Sequence, residues 1–347
     1  MESLKQNAKE IAELCHHRDV RFVAVTKVTR GDPEIAKVCL EAGADAIGDS
    51  RLDNLRRMKS AGIKGPFMLI RIPMPSEVEE AVALSDVILV SEPITVELIS
   101  KAAQRIGKNQ AVLYMVDVGD LREGVWYPNA VDEITKALKM PNVHLYGIGT
   151  NLGCYGGVIP DTERMNVLAS VAEELEKRGL KVPILSGGNT AAIKLIENDT
   201  LPNKINEYRI GEAVILGTDI TNGRKFEYLN QDTFTLYAEV VELKLKPSVP
   251  VGKIGRDSMG RIPHFEDLGT RKKAILAIGE QDVALDGLTP LERGVVPLHA
   301  SSDHAVLDVT DAKKDIRVGD KMAFRLSYGA LLRAMTSPYV KKIHIRK

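Results

Sequence analysis

The feature that most constrains the fold is a strand–helix alternation that occurs eight times between residue 1 and about residue 220. Strands are predicted at 22–27, 45–49, 67–72, 87–91, 111–117, 143–149, 182–186 and 207–216. Helices are predicted between them at 34–42, 51–60, 76–84, 94–106, 129–139, 161–178 and 189–197. Eight such units indicate an α/β fold of the (β/α)8 TIM-barrel type, in which parallel strands close into a ring surrounded by helices. A doubly wound open sheet is the alternative, but no G-x-G-x-x-G turn follows the first strand.

The pattern changes after about Asp219, where the regular alternation of strands and helices stops. Phe234–Leu245 alternates between apolar and polar residues, and further alternating or apolar runs follow at 273–279, 294–299, 304–309 and 321–326. Few helical periods occur in this part of the chain. Residues 1–224 are therefore predicted to form the barrel, and residues 225–347 a smaller, all-β C-terminal domain.

Composition excludes several classes of partner. Lys plus Arg and Asp plus Glu both number 47, so no net charge attracts nucleic acid or an anionic membrane. No apolar run approaches the roughly 20 residues of a membrane span, and the segment from Met1 to His17 has the pattern of a charged amphipathic helix rather than a signal sequence. The three cysteines, Cys15, Cys39 and Cys154, are odd in number and widely spaced, which favours free thiols in the cytoplasm over a zinc site.

Polar residues follow the predicted strands at their carboxyl ends, which a barrel gathers around one mouth. These residues are Lys27, Arg71, Arg122, Asn151, Asn189, Thr190 and Arg209. The turn SGGNT at 186–190 leads directly into a helix and offers backbone amides and a hydroxyl to a phosphate. A lone strand-end lysine more often only reaches into solvent. Together, however, these groups predict a site for a phosphate-bearing cofactor that forms a Schiff base with lysine.

The motifs VAVTKVTRGD, DAIGDSRLDN, GIGTNLGCYGG and SGGNT carry a resemblance to a known family. The chain resembles the alanine racemase family of fold-type III pyridoxal 5′-phosphate (PLP) enzymes over nearly its whole length, and within it the ornithine and lysine racemase branch. The resemblance implies a PLP-dependent racemase that interconverts the L and D forms of a small amino acid, ornithine first and lysine second. It also implies a homodimer in which the β domain of one subunit completes the mouth of the other.

The resemblance further implies a role for each matching residue. Lys27 matches the catalytic lysine that holds PLP as an imine, and Arg209 matches the arginine that faces the pyridine nitrogen. The remaining residues predicted to bind the cofactor are Arg122, Asn151, Asn189, Thr190, Gly211, Glu212 and Tyr328. Guanidinium is always charged and only donates hydrogen bonds. An arginine facing the ring nitrogen therefore keeps that nitrogen unprotonated and favours proton exchange over transamination.

The sequence departs from the family at the second catalytic base. The family supplies a tyrosine from the β domain, whereas the corresponding stretch here, 251–258, contains none, and an ungapped alignment places Asp257 there. Asp257 is therefore predicted to be the second base in a two-base removal and return of the Cα proton, with Ser302, Asp303 or His264 as the next candidates. The first strand that precedes the opening helix in the family is also missing, so the chain is expected to begin late.

Substrate recognition is predicted to involve Arg122, Glu280, Ser302 and Asp303. Glu280 replaces a tyrosine that faces the mouth, and a carboxylate there and at Asp303 suits a terminal ammonium group. Gly31 replaces another tyrosine and is expected to open room for a longer side chain. The alternative is that the two carboxylates pair with local basic residues such as Arg293.

Other functions stay open from the sequence alone. They include a racemase for alanine or for many amino acids, and a PLP-binding carrier protein without activity, which would leave the β domain of about 120 residues unexplained. A fold-type III decarboxylase is disfavoured by Arg209, because an acidic residue is expected there. A metal-dependent lyase would require several metal ligands close together. His299, Asp303 and His304 give little support for such a set, so no metal is predicted.

Overall fold

The computed structural model describes residues 1–345, and it divides these into two compact units, residues 1–231 and residues 232–345. The boundary predicted between residues 224 and 225 falls within the short strand Arg224–Lys225. No helix among the described residues combines the length and the hydropathy needed to cross a membrane.

The first unit contains the barrel. Its strands are β1 (Arg21–Val25), β2 (Ala46–Asp49), β3 (Phe67–Leu69), β4 (Val87–Val90), β5 (Gln110–Asp117), β6 (Val125–Trp126), β7 (Val143–Gly149), β8 (Ile184–Ser186), β9 (Glu207–Ile210), β10 (Thr218–Asp219) and β11 (Arg224–Lys225). Strands β1–β5 and β7–β9 pair in parallel, and the ring closes where β1 pairs with β9. Strand β6 only extends the pairing of β5, and β10 and β11 form a separate hairpin. The predicted eight-stranded barrel is confirmed.

Nine helices occur in the described part of this unit. They are α1 (Glu2–His16), α2 (Pro33–Glu41), α3 (Leu52–Ser60), α4 (Val78–Leu84), α5 (Pro93–Ile106), α6 (Ala130–Ala137), α7 (Thr162–Lys177), α8 (Ile193–Glu197) and α9 (Glu212–Leu216). Local chemistry fixes several helix ends: Asp32 caps α2 by accepting the amide of Glu34, and α5 ends at Gly107 with a φ of 66°. Part of the interior of the barrel is an apolar cluster that includes Val23, Met68 and Leu113, as is usual for buried parallel strands.

Two details of the predicted barrel strands are wrong. The strand predicted at 207–216 ends at Ile210, and its second half is the helix α9. A short buried apolar run has no periodicity that separates strand from helix, which explains the error. Strand β1 ends at Val25 rather than residue 27, and Lys27 begins the 3-10 turn Lys27–Thr29.

The second unit is a six-stranded antiparallel sheet with a helix. Its strands are β12 (Leu236–Pro247), β13 (Thr270–Leu276), β14 (Leu288–Pro290), β15 (Val296–Ala300), β16 (Ala305–Asp308) and β17 (Lys321–Leu326), in the order β14-β17-β12-β13-β16-β15. The predicted β-rich character is confirmed, but the prediction of an all-β domain missed the helix α10 (Tyr328–Thr336). Ser327 caps that helix by accepting the amide of Ala330, and its inner face is buried at Leu331 and Met335.

Candidate active site

The turn that carries Lys27 is fixed at the end of β1. The amide of Thr26 donates to the carbonyl of Gly48 on the neighbouring strand at 3.0 Å, and its hydroxyl donates to Oδ2 of Asp49 at 2.8 Å. Asp49 is fully buried, and Asn54 donates to its other oxygen at 2.8 Å. Burial raises the pKa of Asp49, and the hydrogen bonds oppose this rise. Within residues 1–345 no side chain pairs with Nζ of Lys27, so the half-buried amine is available to a ligand.

Gly31 follows this turn in the left-handed conformation, with a φ of +56°. A Cβ atom at this position would lie 2.6 Å from Cβ of Asn54. The backbone therefore requires glycine, and the space on that side is already filled. A side chain at residue 31 of this backbone would meet Asn54, and the expectation that Gly31 opens room for a longer substrate side chain stays a prediction.

Arg209 lies on β9 inside the barrel and is almost fully buried. Its guanidinium donates to the hydroxyl of Ser186 and, at 2.6 Å, to the carbonyl of Thr150. The Ser186 hydroxyl donates in turn to Oε1 of buried Glu207 at 2.8 Å, and the hydroxyl of Tyr146 donates to Oε2 at 2.6 Å. Burial lowers the pKa of Arg209, whereas the charge of Glu207 opposes this. Ser186 thus connects a buried cation to a buried anion, and both are held in place.

The loop after β7 meets the turn after β8 through Asn189. Its Nδ2 atom donates to Oδ1 of Asn151 at 3.0 Å and to the carbonyl of Leu152 at 2.8 Å, and it lies 3.4 Å from Sγ of Cys154. The side chain of Asn189 is therefore engaged in holding the loop. Among the described residues, buried Nδ2 of Asn151 and buried Oγ1 of Thr150 have no hydrogen-bond partner. Two unsatisfied polar groups lie here, where a bound ligand would satisfy them.

The predicted phosphate turns come together at Thr190, whose hydroxyl accepts the amide of Ala213 in the first turn of α9 at 3.2 Å. Glu212 directs its carboxylate away from that turn, and Oε1 accepts the hydroxyl of Thr218 at 2.6 Å and the amide of Ile220 at 3.0 Å. Burial raises the pKa of Glu212 to about 7. The carboxylate of Glu212 is therefore engaged, and its predicted contribution to an anion site would have to come from its backbone.

Arg122 lies in the loop after β5, and its Nη2 atom donates to Oε1 of Glu123 at 2.6 Å. Partial burial acts to lower the pKa of Arg122, but the hydrogen bonds and charge of Glu123 raise it above its ordinary value. Asp120, two residues before Arg122, accepts the amides of Gly153 and Tyr155, and Arg209 donates to the carbonyl of Thr150. The structure therefore brings the loops after β5 and β7 to the same mouth as Arg209.

In the second unit, Asp257 and Glu280 belong to one network of charges. Oδ2 of Asp257 accepts Nε of Arg261 at 2.9 Å and lies 3.0 Å from Nε2 of His299. Arg261 also donates to Oε1 of Glu280 at 3.1 Å, and Arg333 donates to Oε2 at 2.9 Å. Arg261, Glu280, His299 and Arg333, but not Asp257, line a cavity of about 520 Å³. Glu280 is therefore balanced by two local arginines, which is the alternative that the sequence left open, although the partners are not Arg293.

The same network weakens Asp257 as a base. Partial covering acts to raise the pKa of Asp257, but the hydrogen bonds from Arg261 and from two backbone amides outweigh it and lower the pKa. A carboxylate with a lowered pKa has less tendency to accept a proton. His264, one of the next candidates, is exposed in the same long loop.

Ser302 and Asp303 lie in the turn between β15 and β16. The hydroxyl of Ser302 donates to Oδ2 of Asp303 at 2.6 Å, and Nε2 of Gln281 donates to Oδ1 at 2.7 Å. A Cβ atom at Gly279 would lie 2.2 Å from the carbonyl oxygen of Ser302, so this turn packs tightly against residues 279–281. No cationic side chain of the described chain forms an ion pair with Asp303. Tyr328 is the first residue of α10.

Glu207 and Asp120 were not predicted from the sequence, and neither was the contact of Ser186 with both Arg209 and Glu207. Glu207 and Arg209 alternate with apolar residues in the buried strand EYRI, and this i, i+2 spacing was a usable signal for a shared face. Asp120 resembled an ordinary turn residue, and no local pattern marks its distant partners. Among residues 1–345 no group of three His, Cys, Asp or Glu side chains is arranged to hold a metal ion.

Comparisons with known proteins extend this description. Residues 1–219 match the family model described as alanine racemase, N-terminal domain. The chain is 49% identical to the lysine racemase of Thermotoga maritima over 99% of this chain and 96% of that protein. It is 41% identical to the ornithine racemase of Acetoanaerobium sticklandii over 98% of this chain and 96% of that one. The solved alanine racemase of Clostridium difficile 630 covers 96% of this chain and 91% of its own with a TM-score of 0.72, and at 18% identity this similarity shows the fold alone.

Proposed function

The chain belongs to the alanine racemase family and is an amino-acid racemase, and from this premise we propose that its substrates are lysine and ornithine and its cofactor is PLP on Lys27. The observation that carries the substrate proposal is the similarity to a lysine and an ornithine racemase over almost the whole of each chain. The proposal includes a cytoplasmic homodimer in which the β domain of one chain completes the barrel mouth of the other.

The residues present fit PLP. Buried Nδ2 of Asn151 and Oγ1 of Thr150 lack partners among the described residues, so a polar ligand would satisfy both. Lys27 offers a free amine on a fixed turn. The hydroxyl of Thr190 and the backbone of Gly211 and Glu212 suit a phosphate, whereas the amide of Ala213 already donates to Thr190. Arg122, at the same mouth, suits the carboxylate of an amino acid. Tyr328 stays a proposed phosphate contact.

PLP, when bound, withdraws electrons from the substrate Cα and so acidifies the proton there. Lys27 would then remove or return that proton at its amine nitrogen. Arg209 is held by Ser186 and Thr150 and can only donate hydrogen bonds, so it would keep the cofactor nitrogen unprotonated. This combination favours exchange of the Cα proton, which racemisation requires.

The second proton transfer is assigned to Asp257 together with His299. The carboxylate and imidazole lie 3.0 Å apart, and a carboxylate that contacts an imidazole can orient it for proton transfer. Arg261 holds Asp257 in its charged form. His299 is therefore the member of the pair better suited to carry the proton, because a ring nitrogen of an imidazole can accept a proton and return it.

Of the two carboxylates predicted to recognise the substrate, we propose that Asp303 rather than Glu280 sets specificity. Glu280 already accepts hydrogen bonds from two arginines, whereas Asp303 accepts only neutral donors among the described residues. A carboxylate without a cation is the better partner for the terminal ammonium of lysine or ornithine. Ser302 would contribute by orienting Asp303.

The test is racemisation of L-lysine, L-ornithine and L-alanine in deuterated water, which reports Cα exchange and loss of optical rotation together. Asp303→Asn should lower the preference for lysine over alanine by about tenfold or more, as expected for a lost hydrogen bond between charged groups. Glu280→Gln is the matched control and should leave the preference within about threefold. Alanine as the best substrate of the wild type, or an unchanged preference in Asp303→Asn, would contradict the proposal.

A further inference from the structure

We propose that Asp120 is a positioning residue of the active site, whose carboxylate serves as an internal anion for a loop of backbone amides and so fixes residues 151–158 beside Arg122. The purpose assigned to this loop rests on the proposed function. The contacts themselves do not depend on it.

The Asp120 side chain lies in the loop after β5 and is only 1% exposed. Oδ1 accepts the amide of Gly153 at 3.0 Å and that of Val158 at 3.2 Å. Oδ2 accepts the amides of Tyr155 at 2.9 Å and Cys154 at 3.2 Å. Amides that converge in this way form a concave anion site. Here the anion belongs to the chain itself, and it comes from a different barrel loop.

The loop is built for close approach to this carboxylate. Gly153 and Gly157 have φ values of +78° and +67°, which glycine adopts without strain. A Cβ atom at Gly156 would lie 2.9 Å from the backbone oxygen of Asp120, so a side chain there would push the loop away. An ionised carboxylate can accept all four amides, whereas an asparagine side chain has a single acceptor oxygen. Charge and shape therefore both specify aspartate.

Asp120 also connects two predicted site residues. Leu121, in the left-handed conformation with a φ of +59°, is the single residue between Asp120 and Arg122. On the other side, the same loop begins at Asn151, which Asn189 holds at 3.0 Å. Movement of Asp120 would therefore disturb both the guanidinium of Arg122 and the unsatisfied amide of Asn151. Because the loop that Asp120 holds also covers its carboxylate, Asp120 acts by positioning other residues rather than by touching a ligand.

The experiment compares hydrogen exchange of the peptide covering 151–158 in the wild type, Asp120→Asn and Asp161→Asn, together with PLP affinity and KM for lysine. Asp161 is the matched control, because its carboxylate accepts the amide of Arg164 at the start of α7 only. In Asp120→Asn two of the four amides lose their acceptor, so exchange in 151–158 should rise by about tenfold or more. PLP affinity should fall and KM should rise by about fivefold or more, while exchange elsewhere stays unchanged.

Unchanged exchange in 151–158 would overturn the proposal, as would faster exchange throughout the barrel, which indicates a general loss of stability. Faster local exchange with unchanged PLP affinity and KM would also overturn it, because the loop would then position nothing. If Asp120→Asn does not fold, Gly156→Ala keeps the carboxylate and should produce the same local effects. If the wild type racemises no amino acid, the proposed function fails, and exchange and PLP affinity still decide the role of Asp120.

Discussion

Replacing Glu212 with glutamine should remove a pH dependence of stability that burial creates. Its pKa is about 7 in the folded protein against an ordinary value of 4.5. Below pH 4.5 Glu212 is protonated in both the folded and the unfolded protein. Between pH 4.5 and 7 it is protonated only in the folded protein, and above pH 7 it is protonated in neither. The stabilisation is therefore fully present at low pH and is lost as the pH rises through about 7. Between pH 5 and pH 8 the loss amounts to roughly 2–3 kcal/mol.

The variant isolates this effect because glutamine retains an oxygen that can accept from Thr218 and Ile220. The assay is urea denaturation followed through a signal from the first unit, which gives the free energy of unfolding. It is carried out at intervals from pH 5 to pH 8 for wild type and Glu212→Gln. The difference between the two proteins should change by roughly 2–3 kcal/mol across that range, with the variant gaining relative stability at high pH. Glu227→Gln is the control, since Glu227 is exposed. A constant difference between wild type and Glu212→Gln would refute the reasoning.

Two further substitutions test the barrel. Ser186→Ala removes the hydroxyl between Arg209 and Glu207, so each of these two buried charged groups loses a hydrogen-bond partner. The free energy of unfolding in urea denaturation should fall by about 2–4 kcal/mol. A change below about 0.5 kcal/mol would show that neither charge depends on this hydroxyl. Gly31→Ala forces a Cβ against Asn54 in a left-handed residue and should destabilise by about 1–3 kcal/mol. The second prediction fails if Gly31→Ala unfolds at the same urea concentration as the wild type.

The barrel was predictable because its signal repeats. Eight strands separated by amphipathic helices leave few arrangements that bury every apolar face, and the carboxyl ends of those strands then share one mouth. In the structure Lys27 lies two residues after the end of β1, and Arg209 is the penultimate residue of β9. The prediction failed in Glu212–Leu216, which is only five residues long, because nothing in its apolar run distinguishes a strand from a buried helix.

Side-chain pairing in the second unit was harder to predict. Glu280 pairs with Arg333, which is distant in sequence, and with Arg261 from a long loop without regular structure. Neither contact follows from periodicity or from spacing, because the register of the sheet and the path of the loop both have to be known first. The alternative of local pairing was correctly left open, but its partners could be identified only in the folded chain.

The two units also differ in how their charged side chains are paired and buried. This difference determines whether a substitution mainly changes stability or mainly changes kinetics. In the barrel, Arg209 and Asp120 are buried and are held by hydroxyl, carbonyl and amide groups. Removing one of these contacts leaves a buried charge without a hydrogen-bond partner, and water cannot replace the lost group. In the β domain, Asp257 and Glu280 pair with Arg261 and Arg333, whose side chains are about half exposed, so water can partly replace a lost partner. Asp303→Asn in the β domain should therefore change substrate preference with little effect on folding, whereas substitutions of buried charges in the barrel need a stability measurement beside every kinetic one.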